Sequence, residues 1–197
     1  MSTPKRQITK ADIIPLEAYT AERQARRRSN MEIKKPRRIE VGPVATFYFE
    51  NFDTMFQQIH EMLFIEKGGD EQIDDELRAY NPLIPQGGEL VATLMFEIDD
   101  PTRRTNMLRR LTHVEETIFF DVGGERVKGE PEQDIDRTAA DGKTSAVHFI
   151  HFRFTPAQVA KFSDREANIL LGFAHENYGH MALLSEPQKQ ALAADLK

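Results

Sequence analysis

The chain has 197 residues, a formal net charge of −6, 40% hydrophobic residues, and neither cysteine nor tryptophan. This length and apolar content suit one domain with a hydrophobic core. The lack of cysteine excludes disulfides, cysteine nucleophiles, and zinc or iron–sulfur sites built on cysteine. No apolar run approaches the roughly 20 residues of a membrane-spanning helix, and the N-terminal segment lacks the apolar stretch of a signal peptide. We therefore expect a soluble, cytoplasmic protein.

Charge is unevenly distributed along the chain. Residues 1–40 carry 11 Lys and Arg against 5 Asp and Glu, whereas the remainder carries 15 against 27. Helical propensity from Pro15 to the helix-ending Pro36 predicts a basic N-terminal helical arm, residues 1–38, ahead of a single domain, residues 39–197. The arm would dock on the acidic remainder or on an acidic partner. A nucleic acid is the less favoured partner, because no aromatic residue follows Tyr19 in the arm to stack on bases.

Hydrophobic periodicity in the rest of the chain alternates between strand and helix patterns. It predicts strands at residues 39–50 (interrupted at Gly42-Pro43), 90–98, 117–122, 125–128, 145–154 and 169–174. It predicts helices at residues 52–66, 70–79, 99–111, 155–162 and 186–196, and a long exposed loop at 129–143. Gly123-Gly124 is a hairpin signal, so some strands pair antiparallel. We therefore predict an α+β fold with a mixed or mainly antiparallel sheet and flanking helices.

The strand at residues 145–154 contains two of the six histidines. Its period of two places His148 on the apolar face with Ile150 and Phe152, pointing inward. His151 falls on the other face beside Arg153, where we expect solvent contact. His148 is then either a core histidine satisfied by a neighbour or a ligand.

Metal-ligating residue types form the best candidate site. His175 and His180 bracket a polar turn after a predicted strand, and their spacing of five excludes one helix face. Glu61 and Glu66 lie on the predicted helix 52–66, with Glu66 near its apolar face. If the strands are neighbours, His148, His175 and His180 could bind iron, manganese or zinc, with Glu61 or Glu66 as a further ligand or a partner of one. The alternative is a core histidine, a polar loop and solvated helix charges.

Four segments together resemble one bacterial family. They are Gln58-Ile59-His60-Glu61-Met62-Leu63, Tyr80-Asn81-Pro82-Leu83-Ile84-Pro85, Lys143-Thr144-Ser145-Ala146-Val147-His148-Phe149 and His175-x-x-Tyr178-x-His180. The family is catalogued only as a domain of unknown function, and the resemblance runs from about Ile8 to Leu196. It implies no established activity. Its genes often lie near those of rubrerythrin-like proteins and iron–sulfur oxidoreductases, which implies a redox association.

Three functional hypotheses follow, and whether the protein is an enzyme stays open because no complete catalytic motif is present. The first is a redox-associated protein with the His and carboxylate metal site described above. The second is a non-catalytic partner or adaptor of an oxidoreductase complex, docked through the basic arm. The third is a metal-free enzyme or binding domain for a small molecule.

Overall fold

The computed structural model of the protein describes residues 5–132, 139 and 142–197. The helices are Leu16–Lys34 (α1), Phe52–Glu66 (α2), Gly69–Tyr80 (α3), Pro101–Arg110 (α4), Pro156–Phe162 (α5) and Glu186–Ala193 (α6). The strands are Arg38–Val41 (β1), Ala45–Glu50 (β2), Glu89–Phe96 (β3), Ile118–Val122 (β4), Glu125–Pro131 (β5), Val147–Arg153 (β6), Ile169–Phe173 (β7) and Met181–Leu183 (β8). None of the helices in these described ranges is long and apolar enough to cross a membrane.

The eight strands form one sheet in the order β1-β2-β3-β6-β5-β4-β7-β8, and every pairing is antiparallel. The sheet curves until β8, at one end of this order, approaches β1 at the other. It is therefore a nearly closed barrel with helices against its outside and ends. The prediction of an α+β fold with a mainly antiparallel sheet, flanking helices and an N-terminal helix is confirmed.

The inner face of the sheet forms the main core, as the period of two in the strands predicts. Leu94 of β3 and Ile150 and Phe152 of β6 point inward and are fully buried. His148 shares this face and is also 0% exposed, so its predicted inward orientation is confirmed. Phe162 of α5 adds an apolar side chain to the same cluster.

The outer face of β3 and β6 is covered by α2 and forms a second, smaller core. Asn51 begins α2 by accepting a hydrogen bond from the backbone N–H of Thr54, which satisfies one of the free donors of the first turn. Met55 and Ile59 follow at helical spacing and pack against Val91 on the outer face of β3. This face positions the candidate site described below.

The N-terminal helix α1 lies against α2 through ring contacts of Tyr19 and through polar contacts. Arg23 pairs with Glu61 of α2 at 2.7 Å, and Tyr19 donates a hydrogen bond to the same carboxylate. Beyond α1, the buried Arg37 pairs with Asp195 near the C-terminus. These two cations of the predicted basic arm, among others, are thus paired within the chain. The boundary at residue 38 stays a prediction.

Several predicted elements differ from the observed ones. β5 continues to Pro131, because its last residues pair with β6 instead of entering the predicted loop. The remainder of that loop includes residues 133–138, 140 and 141, which lie outside the described residues. β8 has no predicted counterpart, since three residues are too few to show a period. Glu66, predicted near the apolar face of α2, is exposed at the end of that helix, where it accepts a hydrogen bond from Gln72.

Candidate functional site

A cavity of about 260 Å³ lies between the outer face of the sheet, helix α2 and the end of α1. Its polar lining residues are Lys34, Tyr48, Glu50, Gln58, Tyr80 and Thr93. Its apolar lining residues are Met55, Leu83, Met95, Val147 and Phe149. A concave space lined by both apolar side chains and convergent polar groups is compatible with a small-molecule site.

The strand register explains why these side chains meet. Tyr48 of β2 lies opposite Thr93 of β3, and Thr93 lies opposite Phe149 of β6. Residues two apart on a strand share a face, so Glu50 and Met95 join the same row. Gln58 of α2 lies above this face, and its amide contacts the Tyr80 hydroxyl at 3.5 Å.

Glu50 is the most unusual group in the cavity, because its carboxylate is buried without a cation. The residue is 5% exposed. Its two oxygens accept hydrogen bonds from the hydroxyls of Thr54, at 2.6 Å, and Thr93, at 2.8 Å. Within the described part of the chain, no Lys, Arg or His forms an ion pair with it. A carboxylate removed from water normally requires a positive partner or a metal, since two neutral donors replace only part of its hydration.

Glu97 provides a natural comparison with Glu50. It also accepts two hydroxyl hydrogen bonds, from Thr46 at 2.6 Å and from Tyr48 at 2.7 Å. Glu97, however, is exposed, lies outside the cavity and is 3.5 Å from Arg38. Those contacts lower the pKa of Glu97, the Thr46 hydrogen bond contributing most. Glu50 therefore differs from Glu97 in burial and in the lack of a cation, rather than in its hydroxyl partners.

Another pocket, of about 240 Å³, is lined mainly by apolar residues and by His60. The Nδ1 of His60 lies 2.7 Å from the Phe56 carbonyl oxygen, and its Nε2 accepts the N–H of Ile14 at 3.0 Å. Nε2 thus holds the N-terminal segment on α2, while Nδ1 is used within α2 itself. Burial lowers the pKa of His60 and keeps the ring neutral. The charged residues of its lining, Lys67 and Asp70, are both exposed.

The predicted site residue His148 is held in the core by its own neighbours. Its Nε2 lies 2.9 Å from the Ser145 carbonyl oxygen and 3.3 Å from the Thr144 hydroxyl. Its Nδ1 is 4.0 Å from a carboxylate oxygen of Glu115, which also accepts from Thr144. These contacts fit the alternative of a core histidine satisfied by a backbone carbonyl, with a carboxylate nearby.

The turn that contains His175 and His180 packs on the β1–β2 hairpin. Both ring nitrogens of His175 have backbone partners, with Nε2 donating to the Thr112 carbonyl and Nδ1 accepting the N–H of Asn177. The Tyr178 hydroxyl donates to the Val41 carbonyl at 2.8 Å and accepts two backbone N–H groups of the hairpin. The His180 ring lies edge-on to Tyr178, with centroids 4.6 Å apart. The contacts of this turn stabilise the fold.

The carboxylates Glu61 and Glu66 have other partners, as described above. Among the residues that the structure describes, no three His, Asp or Glu side chains form a group that could hold a metal ion. The geometry thus gives no support to a metal site of His148, His175, His180, Glu61 and Glu66, which stays a prediction.

His151 differs from its predicted solvent exposure. It does lie on the outer face, but its side chain is only 13% exposed because two carboxylates cover it. Glu132 lies 3.5 Å from Nε2 and Glu89 lies 3.6 Å from Nδ1. Together they raise the pKa of His151 to about 9, so the ring is cationic at neutral pH. The two carboxylates contact opposite ring nitrogens, so His151 of β6 links Glu89 of β3 to Glu132, the residue that follows β5.

Glu50 and its cavity were missed by the sequence reasoning. The sequence offered only a weak indication of this site. Glu50 lies two residues after Tyr48, on the same face of the strand, at the end of an apolar run. The same pattern is equally typical of a strand end that faces solvent. Three of the four segments in the family resemblance do line the cavity, through Gln58, through Tyr80 and Leu83, and through Val147 and Phe149.

Comparisons with known proteins give a family and a fold but no function. The sequence model of a family described as "Protein of unknown function (DUF3501)" matches residues 7–196. A crystal structure of a novel protein of unknown function from Burkholderia pseudomallei K96243 is 36% identical, with a TM-score of 0.89, over 97% of this chain and 100% of that one. No curated protein matches the chain.

Proposed function

This chain belongs to the DUF3501 family, whose function is unknown, and we propose that it is a small-molecule-binding domain. The ligand occupies the cavity between α2 and the outer face of the sheet. It presents a positively charged group to Glu50. This proposal takes up the third hypothesis from the sequence, a metal-free binding domain or enzyme for a small molecule.

The buried Glu50 carboxylate carries the proposal. Burying this group costs folding free energy, and in the described part of the chain two hydroxyls donate to it while no cation forms an ion pair with it. A ligand ammonium group would donate to the unused lone pairs of the carboxylate and neutralise its charge. Such charge-assisted hydrogen bonds contribute roughly 1.5–3 kcal/mol.

A matched pair of ligands tests this proposal: 3-methylbutylammonium and its neutral isostere 3-methylbutanol. We expect the ammonium compound alone to stabilise the protein substantially. At a concentration 100 times its Kd it would add about 2.7 kcal/mol. This corresponds to a rise in Tm of roughly 5–11 °C for a chain of this size. Equal stabilisation by the two compounds would refute recognition of a positive charge.

Two variants locate the binding site. Glu50→Gln keeps the size of the side chain and removes its charge, so binding of the ammonium compound should weaken at least tenfold. Glu97→Gln removes a carboxylate with similar hydroxyl partners outside the cavity and should leave affinity unchanged. Val147→Phe fills the cavity and should also abolish binding. Full affinity in Val147→Phe would place the ligand elsewhere and overturn the proposal.

The redox association implied by the family resemblance supports a second candidate, an adaptor that docks an acidic oxidoreductase through α1. Arg27 and Arg28 favour it, because both are exposed and neither pairs with a carboxylate in the described part of the chain. Reversing both charges should weaken binding of a purified rubrerythrin-like protein at about 50 mM salt more than at 500 mM. Equal binding by the reversed variant would contradict docking through α1.

The metal-containing form of the redox hypothesis has a direct test of its own. Elemental analysis of protein purified without a nickel column would detect the predicted iron, manganese or zinc. Stoichiometric metal that disappears in His148→Ala would support a site built on that histidine. Full metal content in that variant would assign His148 to the core alone.

A further inference from the structure

A second charged side chain, that of Lys34, lines the same cavity as Glu50. Lys34 is the last residue of α1 and is half-buried. In the described part of the chain it forms no ion pair, either with Glu50 or with another carboxylate. Its neighbour Lys35, by contrast, is exposed and pairs with Glu32 at 2.7 Å. Two opposite charges therefore line one small cavity without contacting each other.

The rest of the cavity limits what can join these charges. Met55, Leu83, Met95, Val147 and Phe149 form an apolar wall. The volume, about 260 Å³, lies below the roughly 300–1,000 Å³ of pockets that hold drug-sized ligands. The cavity thus suits a compact molecule with a short apolar body, rather than a nucleotide or a long chain.

On the basis of the proposed function, we propose that the ligand is a small zwitterion, a free amino acid with an apolar side chain. Its ammonium group would contact Glu50 and its carboxylate would contact Lys34. Its side chain would pack on the apolar wall. One such molecule satisfies both charges at once, which neither a simple amine nor a simple carboxylate does. The flexible stem of Lys34 can adjust the reach of its ammonium group to the ligand.

Three compounds with the same apolar body separate the contributions of the two charges. They are leucine, 3-methylbutylammonium, which lacks the carboxylate, and 4-methylpentanoate, which lacks the ammonium group. Titration calorimetry should show leucine binding at least tenfold more tightly than either analogue. Lys34→Met should reduce leucine to the affinity of the amine while leaving the amine unchanged. Lys35→Met, the matched control, should change neither, and Glu50→Gln should weaken both.

The possible contradictions distinguish this inference from the proposed function. If the amine binds as tightly as leucine, the zwitterion inference fails and recognition of a cation by Glu50 stands. If Lys34→Met strengthens amine binding and lowers the Tm of the ligand-free protein, Lys34 is the counter-ion of Glu50 and the inference fails. If 4-methylpentanoate binds most tightly and Glu50→Gln has no effect, both fail. If no apolar amino acid binds, the zwitterion inference fails. The proposed function then stands if 3-methylbutylammonium binds and fails if it does not.

Discussion

The buried ion pair of Arg37 and Asp195 attaches the end of the N-terminal helical segment to the C-terminus, and breaking it should destabilise the protein strongly. Arg37 is 6% exposed, and its guanidinium donates to both carboxylate oxygens, at 2.5 and 3.0 Å. Burial raises the pKa of Asp195 although Arg37 opposes that shift. The ionised carboxylate thus loses more hydration than the pairing returns. We expect the intact pair to add little net stability, while loss of one partner leaves an uncompensated buried charge.

The two single variants should therefore differ. In Asp195→Asn the arginine stays charged at every accessible pH, so the loss should be about 3–5 kcal/mol. For a chain of this length the fall in Tm would be about 6–20 °C, at roughly 2–4 °C per kcal/mol. In Arg37→Met the remaining carboxyl group can take up a proton. That loss should be smaller, and it should shrink further as the pH is lowered.

Urea unfolding followed by far-ultraviolet circular dichroism measures these differences, and the chain has no tryptophan to serve as a fluorescent probe. The double variant Arg37→Met/Asp195→Leu should recover most of the loss, because no buried charge remains. Breaking the exposed pair of Glu32 with Lys35 by Glu32→Gln is the control and should cost at most about 0.5 kcal/mol. A loss below about 1 kcal/mol in Asp195→Asn, or strict additivity in the double variant, would refute the reasoning.

Two further predictions concern other buried polar groups. Burial lowers the pKa of His60, so the stability provided by its neutral ring is complete above the unfolded pKa of 6.5 and is lost as the pH falls through the folded pKa. Urea midpoints measured between pH 5 and 8 should therefore fall with pH in the wild type and fall less in His60→Gln. An equal dependence on pH in both proteins would contradict this prediction. Lys189 is 7% exposed and donates to three main-chain carbonyl oxygens, at 2.7–3.2 Å, in the loop before β7. Lys189→Met should cost about 1–3 kcal/mol through these unsatisfied acceptors, whereas Lys161→Met, at a half-exposed position, should cost little. Equal unfolding midpoints for the two variants would argue against this role.

Local patterns in the sequence were sufficient for most of the secondary structure and for the direction of several side chains. The period of two in β3 and β6 places Leu94, His148 and Phe152 on the inner face, as observed. The helical spacing of Met55 and Ile59 likewise predicts the buried side of α2. These predictions succeed because each depends on the geometry of one element, which neighbouring residues set together.

Tertiary structure alone decided which side chains meet. The sequence shows that His151 and His148 lie on opposite faces of the same strand. Only the register of β6 with its neighbours, however, brings Glu89 and Glu132 against His151. In the same way, Glu50 acquires its burial and its hydroxyl partners from β3 and α2. Period determines the face of a strand on which a residue lies. The identity of the residue beside it depends on strand order and register, which are set by contacts between segments far apart in the chain.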